Sequence, residues 1–256
     1  MATFPELKHR IVAITGAAEG IGASTAHAFA VQGASLALVD INASGIDKVI
    51  ATLPSSRGRT IAVPADVTDP ASVAAAMQRI TSELGGLDVL INCAGGYGRL
   101  ATVEDMPIDE WDQTIALNLR SVFLFTKAAI PAIKQSKAGR IINVASISGR
   151  TVFANSSPAY GAAKAGVIQF TRFLAYQLGP AGITSNAIAP ITTLTPRVAA
   201  LRTKEDVERI ASQVPLRRLA VPEDHAQAML FLASDGAAYL NGVTLDIPAG
   251  QSVVVI

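Results

Sequence analysis

The sequence contains little charge, few aromatic residues and a single cysteine. Of its 256 residues, 16% are charged and 5% are aromatic, and the formal net charge is +1. One cysteine, Cys93, excludes an internal disulfide and any metal site built from several cysteines. A nearly neutral chain with dispersed Lys and Arg lacks the basic stripe that nucleic-acid binding requires, so nucleic acid is not expected as a partner. The low charge content favours buried helix surface and self-association.

Targeting and metal-binding signals are also absent. The first ten residues contain no apolar core of signal-peptide length, and no uninterrupted apolar run approaches a membrane span. We therefore expect a cytoplasmic protein with no membrane partner. The three histidines, His9, His27 and His225, show no ligand spacing, so we predict no metal and assign them no role. Length and alternating strand and helix patterns favour a single domain over residues 1–256.

A glycine-rich turn follows the first predicted strand. The apolar run Ile11–Thr15 is typical of a strand buried in a parallel sheet, and a helical pattern begins at Ala23. Between them the glycines permit close backbone approach, and the helix N-terminus offers N–H groups to an anion such as a pyrophosphate. The spacing differs from the strict Gly-x-Gly-x-x-Gly fingerprint, so a plain strand-to-helix turn is the alternative. The predicted cradle contains Gly16, Glu19, Gly20, Ile21 and Gly22.

An acidic residue ends the second predicted strand, Ser35–Asp40, about 20 residues after the turn. A carboxylate there can accept hydrogen bonds from the ribose hydroxyls of a dinucleotide and would repel a 2'-phosphate. Glu19 adds a second negative charge in the region where a protein that binds the 2'-phosphate would have Arg or Lys. Asp40 therefore favours NAD over NADP; the alternative is a cap for the next helix.

The third and fourth predicted strands also end at candidate coenzyme contacts. Asp66, after the strand Thr60–Pro64, could bond an adenine amino group or serve a loop or helix cap, and Val67 follows it. The fourth strand is followed by small residues, which allow the backbone to pass close to a coenzyme. Cys93 is interpreted there as a packed residue and not as a nucleophile. This second set of predicted coenzyme contacts is Asp66, Val67, Asn92, Cys93, Ala94 and Gly95.

Four polar side chains are candidates for the chemistry. Tyr160 and Lys164 lie one turn apart in a helix that begins near Pro158, so they share a face. A tyrosine that accepts a proton near neutral pH needs its phenolate stabilised by roughly 3 to 4 kcal/mol, and an ammonium supplies the right charge. The alternative is an ordinary surface pair. Asn118, in an apolar helical region, and Ser146, at the end of the fifth strand, complete the set.

Together these motifs resemble the short-chain dehydrogenase/reductase family over about residues 8–250. The resemblance implies a doubly wound Rossmann fold with a parallel seven-stranded sheet, a bound nicotinamide dinucleotide, and dimers or tetramers. It implies that Tyr160 is the general acid or base and that Ser146 holds the substrate oxygen. Lys164 would lower the pKa of Tyr160 and bind the nicotinamide ribose, and Asn118 would position a water. Thr193 and Thr195 occupy positions that resemble the family's carboxamide contacts.

The chain departs from the family pattern in places. Cys93 replaces a second Asn, Ile191 replaces the usual Gly after Pro190, and Ser148 rivals Ser146 in orienting the substrate. Residues 191–216 are the predicted substrate lid. We expect an NAD-dependent oxidoreductase that interconverts a secondary alcohol and a ketone. The alternatives are an NADPH-dependent reductase of 3-oxoacyl thioesters on acyl carrier protein, a coenzyme-sensing module without turnover, and a lyase or dehalogenase that no longer uses the nucleotide.

Overall fold

Seven parallel strands form one sheet in the order β3-β2-β1-β4-β5-β6-β7. The computed structural model describes residues 3–55, 57–96, 100–152, 156–200 and 202–250. The sheet confirms the predicted doubly wound architecture. Its strands are β1 Ile11–Thr15, β2 Ser35–Asp40, β3 Thr60–Pro64, β4 Val89–Asn92, β5 Arg140–Val144, β6 Thr184–Pro190 and β7 Thr244–Ile247.

Nine α-helices of the described residues connect and cover these strands. They are α1 Gly20–Val31, α2 Ala43–Thr52, α3 Pro70–Leu84, α4 Ile108–Ile115, α5 Ser121–Ile133, α6 Pro158–Leu178, α7 Pro196–Ala200, α8 Lys204–Gln213 and α9 Pro222–Ala233. One core cluster packs α1, α2 and α9 against the sheet, and a second packs α3, α5 and α6 against it. Helices on both faces bury both sides of the strands, which explains their continuous apolar runs.

The strand order reverses beside β1, which pairs with β2 on one side and with β4 on the other. In open parallel sheets, ligands bind outside the carboxyl ends of the strands at such a point. The candidate residues of β1, β2 and β4 lie at or just after these ends. The topology therefore gathers motifs that are far apart in the chain.

Helices α4 and α5 form one helical stretch, as predicted for this region, joined by a π-helical turn at Ala116–Arg120. Among the residues described, this stretch, Ile108–Ile133, is long and apolar enough to cross a membrane by length and composition alone. Core helices of soluble proteins meet the same criterion. Here Phe125 and Ile133 are fully buried in the core cluster of α3, α5 and α6. The α5 part of the stretch therefore contributes to the core of the fold.

Candidate active site

The glycine turn after β1 is packed tightly against the segment after β4. Gly16 has φ +67°, and a Cβ there would lie 2.8 Å from the Cα of Ala94. The Thr15 hydroxyl accepts hydrogen bonds from the N–H groups of Cys93, at 3.0 Å, and Ala94, at 3.1 Å. A left-handed residue this close to another backbone must be glycine. The two predicted coenzyme loops are therefore held side by side.

Helix α1 begins inside the predicted cradle. Glu19, exposed and extended, precedes it, and the N–H of Ala23 donates to the Glu19 carbonyl at 3.2 Å. The N–H groups before Ala23 have no acceptor within the helix, and the helix dipole makes this end positive. These donors, which fit a pyrophosphate, belong to Gly20, Ile21 and Gly22.

Asp40 lies beside the same turn. Its carboxylate accepts from the N–H of Ala18 at 3.0 Å and from the N–H of Asn42 at 2.9 Å. Helix α2 is capped by Asn42, whose side chain accepts from the N–H of Gly45, so Asp40 is not the helix cap. A carboxylate fixed at this edge can still accept further hydrogen bonds from ribose hydroxyls.

Asp66 is engaged in its own loop. Its Oδ1 accepts from the N–H of Thr68 at 2.8 Å and from the Thr68 hydroxyl at 2.7 Å. Asp69, and not Asp66, caps α3. The loop alternative therefore describes the observed contacts, and an adenine contact through the second carboxylate oxygen stays a prediction. Val67 is buried, so a coenzyme would meet its backbone.

In the segment after β4, the backbone is more available to a ligand than the side chains are. Asn92 is buried, and its amide donates to the Thr126 hydroxyl at 3.0 Å and to the side-chain Oδ1 of Asn143 at 2.9 Å. That side chain serves the core and not a ligand. Burial raises the pKa of the Cys93 thiol to about 12, so it is neutral and not nucleophilic near neutral pH. Both observations agree with backbone contacts at this segment.

Asn118 is fully buried in the π-helical turn and joins the β4 loop to α4. Its Oδ1 accepts from the N–H of Gly96 at 2.9 Å, while its Nδ2 donates to the carbonyls of Gly96 and Thr114. A Cβ on Gly95 would lie 2.7 Å from Asn118 Oδ1 and 3.2 Å from Lys164 Nζ. Asn118 and Lys164 therefore flank the same glycine, and the Asn118 amide holds the loop in place.

The turn that follows β5 rests on the first turns of α6. Buried Ser146 accepts from the N–H of Ser148 at 3.1 Å and begins a short 3₁₀ helix, Ile147–Gly149. A Cβ on Gly149 would lie 2.6 Å from the backbone of Lys164, and the Ser148 carbonyl lies 3.2 Å from the corresponding point on Gly161. The structure thus brings both serines to the helix turn that carries Tyr160 and Lys164.

Lys164 is a buried cation next to a tyrosine ring. Its Nζ lies 5.5 Å from the centroid of the half-buried Tyr160 ring and donates to the Val144 carbonyl at 2.7 Å. The residue is only 2% exposed, and burial lowers the pKa of the Lys164 ammonium from 10.5 to about 8. It therefore stays mostly charged near neutral pH. A charge of this sign next to a phenol favours the phenolate.

The predicted lid begins with a tightly anchored loop. The loop continues into the short helix α7 and the charged helix α8. Thr195 begins α7 by accepting from the N–H of Val198, and its methyl group lies 3.4 Å from a Cβ built on Gly20. Arg197 reaches across to Gly96, where its Nη1 lies 3.0 Å from a built Cβ. The lid therefore contacts both predicted coenzyme loops.

Two residues of this region were missed from the sequence. Arg197 is one, and His225, fully buried and bonded to Thr193, is the other. His225 lies 32 residues from its partner, so no spacing in the sequence signals the contact. The one available signal was a histidine within the apolar pattern of α9.

The residues at this edge fit a nicotinamide dinucleotide in their donor and acceptor chemistry. A helix N-terminus suits a pyrophosphate, a carboxylate suits a ribose, and a phenol beside an ammonium suits proton transfer at the reacting carbon. The fold and this arrangement define a Rossmann-type oxidoreductase.

Comparison with known proteins gives the family. Residues 16–252 match a family model described as Enoyl-(Acyl carrier protein) reductase. The chain is 41% identical over 246 residues to cis-4-hydroxycyclohexanecarboxylate dehydrogenase of Sinomonas cyclohexanicum, covering 96% of this chain and 97% of that protein. It is 37% identical over 247 residues to D-threitol dehydrogenase of Mycolicibacterium smegmatis, covering 96% and 94%.

A solved structure agrees with these relatives. The 3-ketoacyl-(acyl-carrier-protein) reductase from Brucella melitensis, crystallised with NADH, superposes with a TM-score of 0.88 at 32% identity, covering 96% of this chain and 99% of that one. The chain therefore belongs to the short-chain dehydrogenase/reductase family, whose members use a nicotinamide coenzyme.

Proposed function

We propose that the protein is an NAD-dependent oxidoreductase that interconverts a secondary alcohol and a ketone. The observation that carries the proposal is the buried Lys164 ammonium, 5.5 Å from the Tyr160 ring and next to the loop after β4. A buried charge is expensive to maintain, and a cation beside a phenol favours the phenolate. A fold that only bound a dinucleotide would not need a phenol beside that charge.

In alcohol oxidation, Tyr160 takes the proton from the substrate hydroxyl, and in the reverse direction it returns that proton to the carbonyl oxygen. Lys164 stabilises the phenolate by charge. When bound, the nicotinamide ring accepts or gives the hydride, so the proton and the hydride leave the substrate by separate routes.

Ser146 holds the substrate oxygen in this proposal, with Ser148 as its rival on the same turn. Ser146 Oγ already accepts from the N–H of Ser148, which fixes the hydroxyl and leaves its proton to donate to a substrate oxygen. Asn118 holds the Gly95–Gly96 backbone beside Lys164 and positions the water that connects Lys164 to solvent. These roles follow the family resemblance and the contacts described above.

The coenzyme preference rests on Asp40. Its carboxylate stands beside the glycine turn, and a 2'-phosphate there would face like charge. The alternative, a 3-oxoacyl-thioester reductase that uses NADPH, would need a cation to bind that phosphate, whereas the turn contains the carboxylate of Glu19. Hydroxycyclohexanecarboxylate, which gives its name to one relative, is a secondary alcohol, and this supports the proposed substrate class.

Coenzyme preference is tested by titrating the purified protein with NADH and with NADPH, following nicotinamide fluorescence. We expect tighter binding of NADH, and Asp40→Asn should narrow the preference by roughly tenfold or more because one like charge is removed. The Asn side chain can still accept from Ala18, so the loop is retained. An unchanged ratio of NADH to NADPH affinity in Asp40→Asn would show that Asp40 does not contact the ribose. A preference of the wild-type protein for NADPH would favour the thioester reductase.

Chemistry is tested by NADH formation with a panel of secondary alcohols that includes both 4-hydroxycyclohexanecarboxylate isomers and D-threitol, and by NADH oxidation with a 3-oxoacyl thioester. Tyr160→Phe should abolish turnover and leave NADH affinity nearly unchanged. Tyr239→Phe is the matched control, since that ring is fully exposed. Wild-type activity in the Tyr160 variant would overturn the assignment of the proton donor.

Self-association as a dimer or tetramer is proposed from an exposed aromatic surface. Phe123 of α5 packs edge-on against Phe170 of α6, with ring centroids 6.2 Å apart, and is itself 45% exposed. Phe173 and Tyr176 extend this surface along α6 at 56% and 84% exposure. Clustered exposed aromatics are typical of protein interfaces.

A further inference from the structure

His225 is a buried polar residue that bonds the loop at the predicted carboxamide position. It belongs to the first turn of α9 and is fully buried, and its Nε2 lies 2.7 Å from the hydroxyl of Thr193. Its other ring nitrogen, Nδ1, has no hydrogen-bond partner in the part of the chain that the structure describes. A buried imidazole with one unsatisfied nitrogen is unfavourable for folding, so its single hydrogen bond needs an explanation.

The direction of that hydrogen bond can be assigned. The Thr193 hydroxyl lies 2.8 Å from the Ile191 carbonyl, which can only accept. Because a hydroxyl has one proton, Thr193 donates to Ile191 and must accept from His225. His225 is therefore the tautomer with its proton on Nε2. Burial lowers the pKa of His225 to about 4, so it remains a neutral, single donor near neutral pH.

The same loop is anchored at a second point and lies against the coenzyme cradle. The N–H of Leu194 donates to the Ala220 carbonyl at 2.8 Å, just before α9 begins. Thr195, one residue further, places its methyl group 3.4 Å from a Cβ built on Gly20. The loop is thus clamped between α9 on one side and the glycine turn on the other. The His225 hydrogen bond is the side-chain part of this clamp.

The charged groups around His225 are engaged elsewhere. Its neighbour Asp224 makes a two-point ion pair with Arg218, at 2.6 and 2.8 Å, and accepts from the N–H of Val221. Glu223, which directly precedes Asp224, accepts a hydrogen bond from the Ser24 hydroxyl of α1. The first turn of α9 is therefore held by its cap residue and by the side chains of Arg218 and Ser24. This rigidity gives His225 a defined position from which to hold Thr193.

We infer that His225 is a positioning residue for the nicotinamide half of the coenzyme, acting through the Thr193 hydroxyl to hold the loop after β6. The inference rests on the proposed function, because it assumes that this loop meets the nicotinamide carboxamide. Within this loop the Thr193 hydroxyl connects the backbone carbonyl of Ile191 to the imidazole of His225. Removing the donor should loosen the nicotinamide half of the site and leave the adenosine half intact.

The test compares two probes on the purified full-length chain, NADH and ADP-ribose, which has no nicotinamide. His225→Leu and Thr193→Val each remove one side of the bond with little change in volume, and the double variant removes both. We expect each single variant to weaken NADH binding roughly tenfold, and ADP-ribose binding to stay within about twofold. The double variant should be no weaker than Thr193→Val, because that variant already removes the His225 hydrogen bond together with the bond to Ile191.

A rescue variant separates hydrogen bonding from packing. His225→Gln restores an N–H donor of similar reach and should recover most of the lost NADH affinity. Equal losses for NADH and ADP-ribose, additive losses in the double variant, or unchanged NADH binding in Thr193→Val would each overturn the inference. Thr193→Val changes one buried atom and carries the test if the His225 variants do not fold. Wild-type protein that bound neither probe would overturn the proposed function and this role together.

Discussion

Replacing Lys164 with methionine should stabilise the protein while it destroys the proposed activity. The ammonium is 2% exposed, and among the described residues it has no carboxylate partner within ion-pair distance. Its pKa falls from 10.5 to about 8, which corresponds to about 3 kcal/mol of destabilisation while the group is charged. Methionine has a similar length and carries no charge.

Part of that gain is lost because the Val144 carbonyl loses the donor that now lies at 2.7 Å, which costs about 1 kcal/mol or more. The net stabilisation should be about 1 to 2 kcal/mol near neutral pH, or a rise in Tm of a few degrees. The measurement is thermal unfolding of the coenzyme-free protein, followed by circular dichroism. Lys48→Met is the matched control, since Lys48 is exposed on α2.

The pH dependence gives a second check with a definite sign. Below about pH 8 the lysine is charged in both folded and unfolded chains, so the full penalty is present. Between pH 8 and 10.5 the unfolded chain still binds a proton that the folded chain has released, so wild-type stability rises with pH. The advantage of Lys164→Met should therefore disappear over this range. A variant less stable than wild type at neutral pH, or a constant difference up to pH 10.5, would refute the reasoning.

Two further substitutions test the packing and the surface. Gly16→Ala should destabilise the fold by about 2 to 4 kcal/mol in chemical denaturation, because it adds a Cβ 2.8 Å from the Ala94 backbone at φ +67°. Gly85→Ala is the control: at φ +89° with nothing within 4 Å, it should lose only the stability that the left-handed backbone costs an alanine. Equal losses of stability in the two variants would contradict a steric clash at Gly16. Phe173→Glu should lower the oligomeric state in light scattering, whereas Ile41→Glu, at a site 75% exposed, should not; an unchanged mass would exclude the aromatic surface as the interface.

The fold was predictable because its signals are local. Apolar runs such as Ile11–Thr15 and Ser35–Asp40 identify buried strands, and the structure places them as expected. The glycine turn and the Tyr160 helix were likewise recognisable from neighbouring residues. Their meeting at one edge follows from parallel strands, whose carboxyl ends lie together. The strand order was available only through the family resemblance.

Asp66 makes a local contact that the sequence left open between alternatives, because Thr68 engages one of its oxygens while Asp69 caps α3. The other contacts that were not predicted connect distant parts of the chain. The orientation of Asn92 into the core depends on Asn143, 51 residues away. His225 had no role because its partner lies in another loop. Such pairs leave no periodic pattern, since each depends on how two elements pack.

Buried cations at the two ends of the sheet differ in whether a carboxylate lies next to them. At the amino ends of the strands, the guanidinium of buried Arg140 lies 3.7 Å from the Asp235 carboxylate, which also faces Arg10 at 3.9 Å. At the carboxyl ends, Lys164 is buried against a carbonyl and has no carboxylate partner within ion-pair distance among the described residues. This cation lies where the coenzyme is proposed to bind.

This asymmetry has a physical consequence for the proposed enzyme. A ligand that binds only the folded chain stabilises it in proportion to the logarithm of its concentration over Kd. A coenzyme whose ribose hydroxyls accept hydrogen bonds from Lys164 would also stabilise a charge that the fold leaves without a carboxylate among the described residues. NADH should therefore stabilise the wild-type protein more than Lys164→Met.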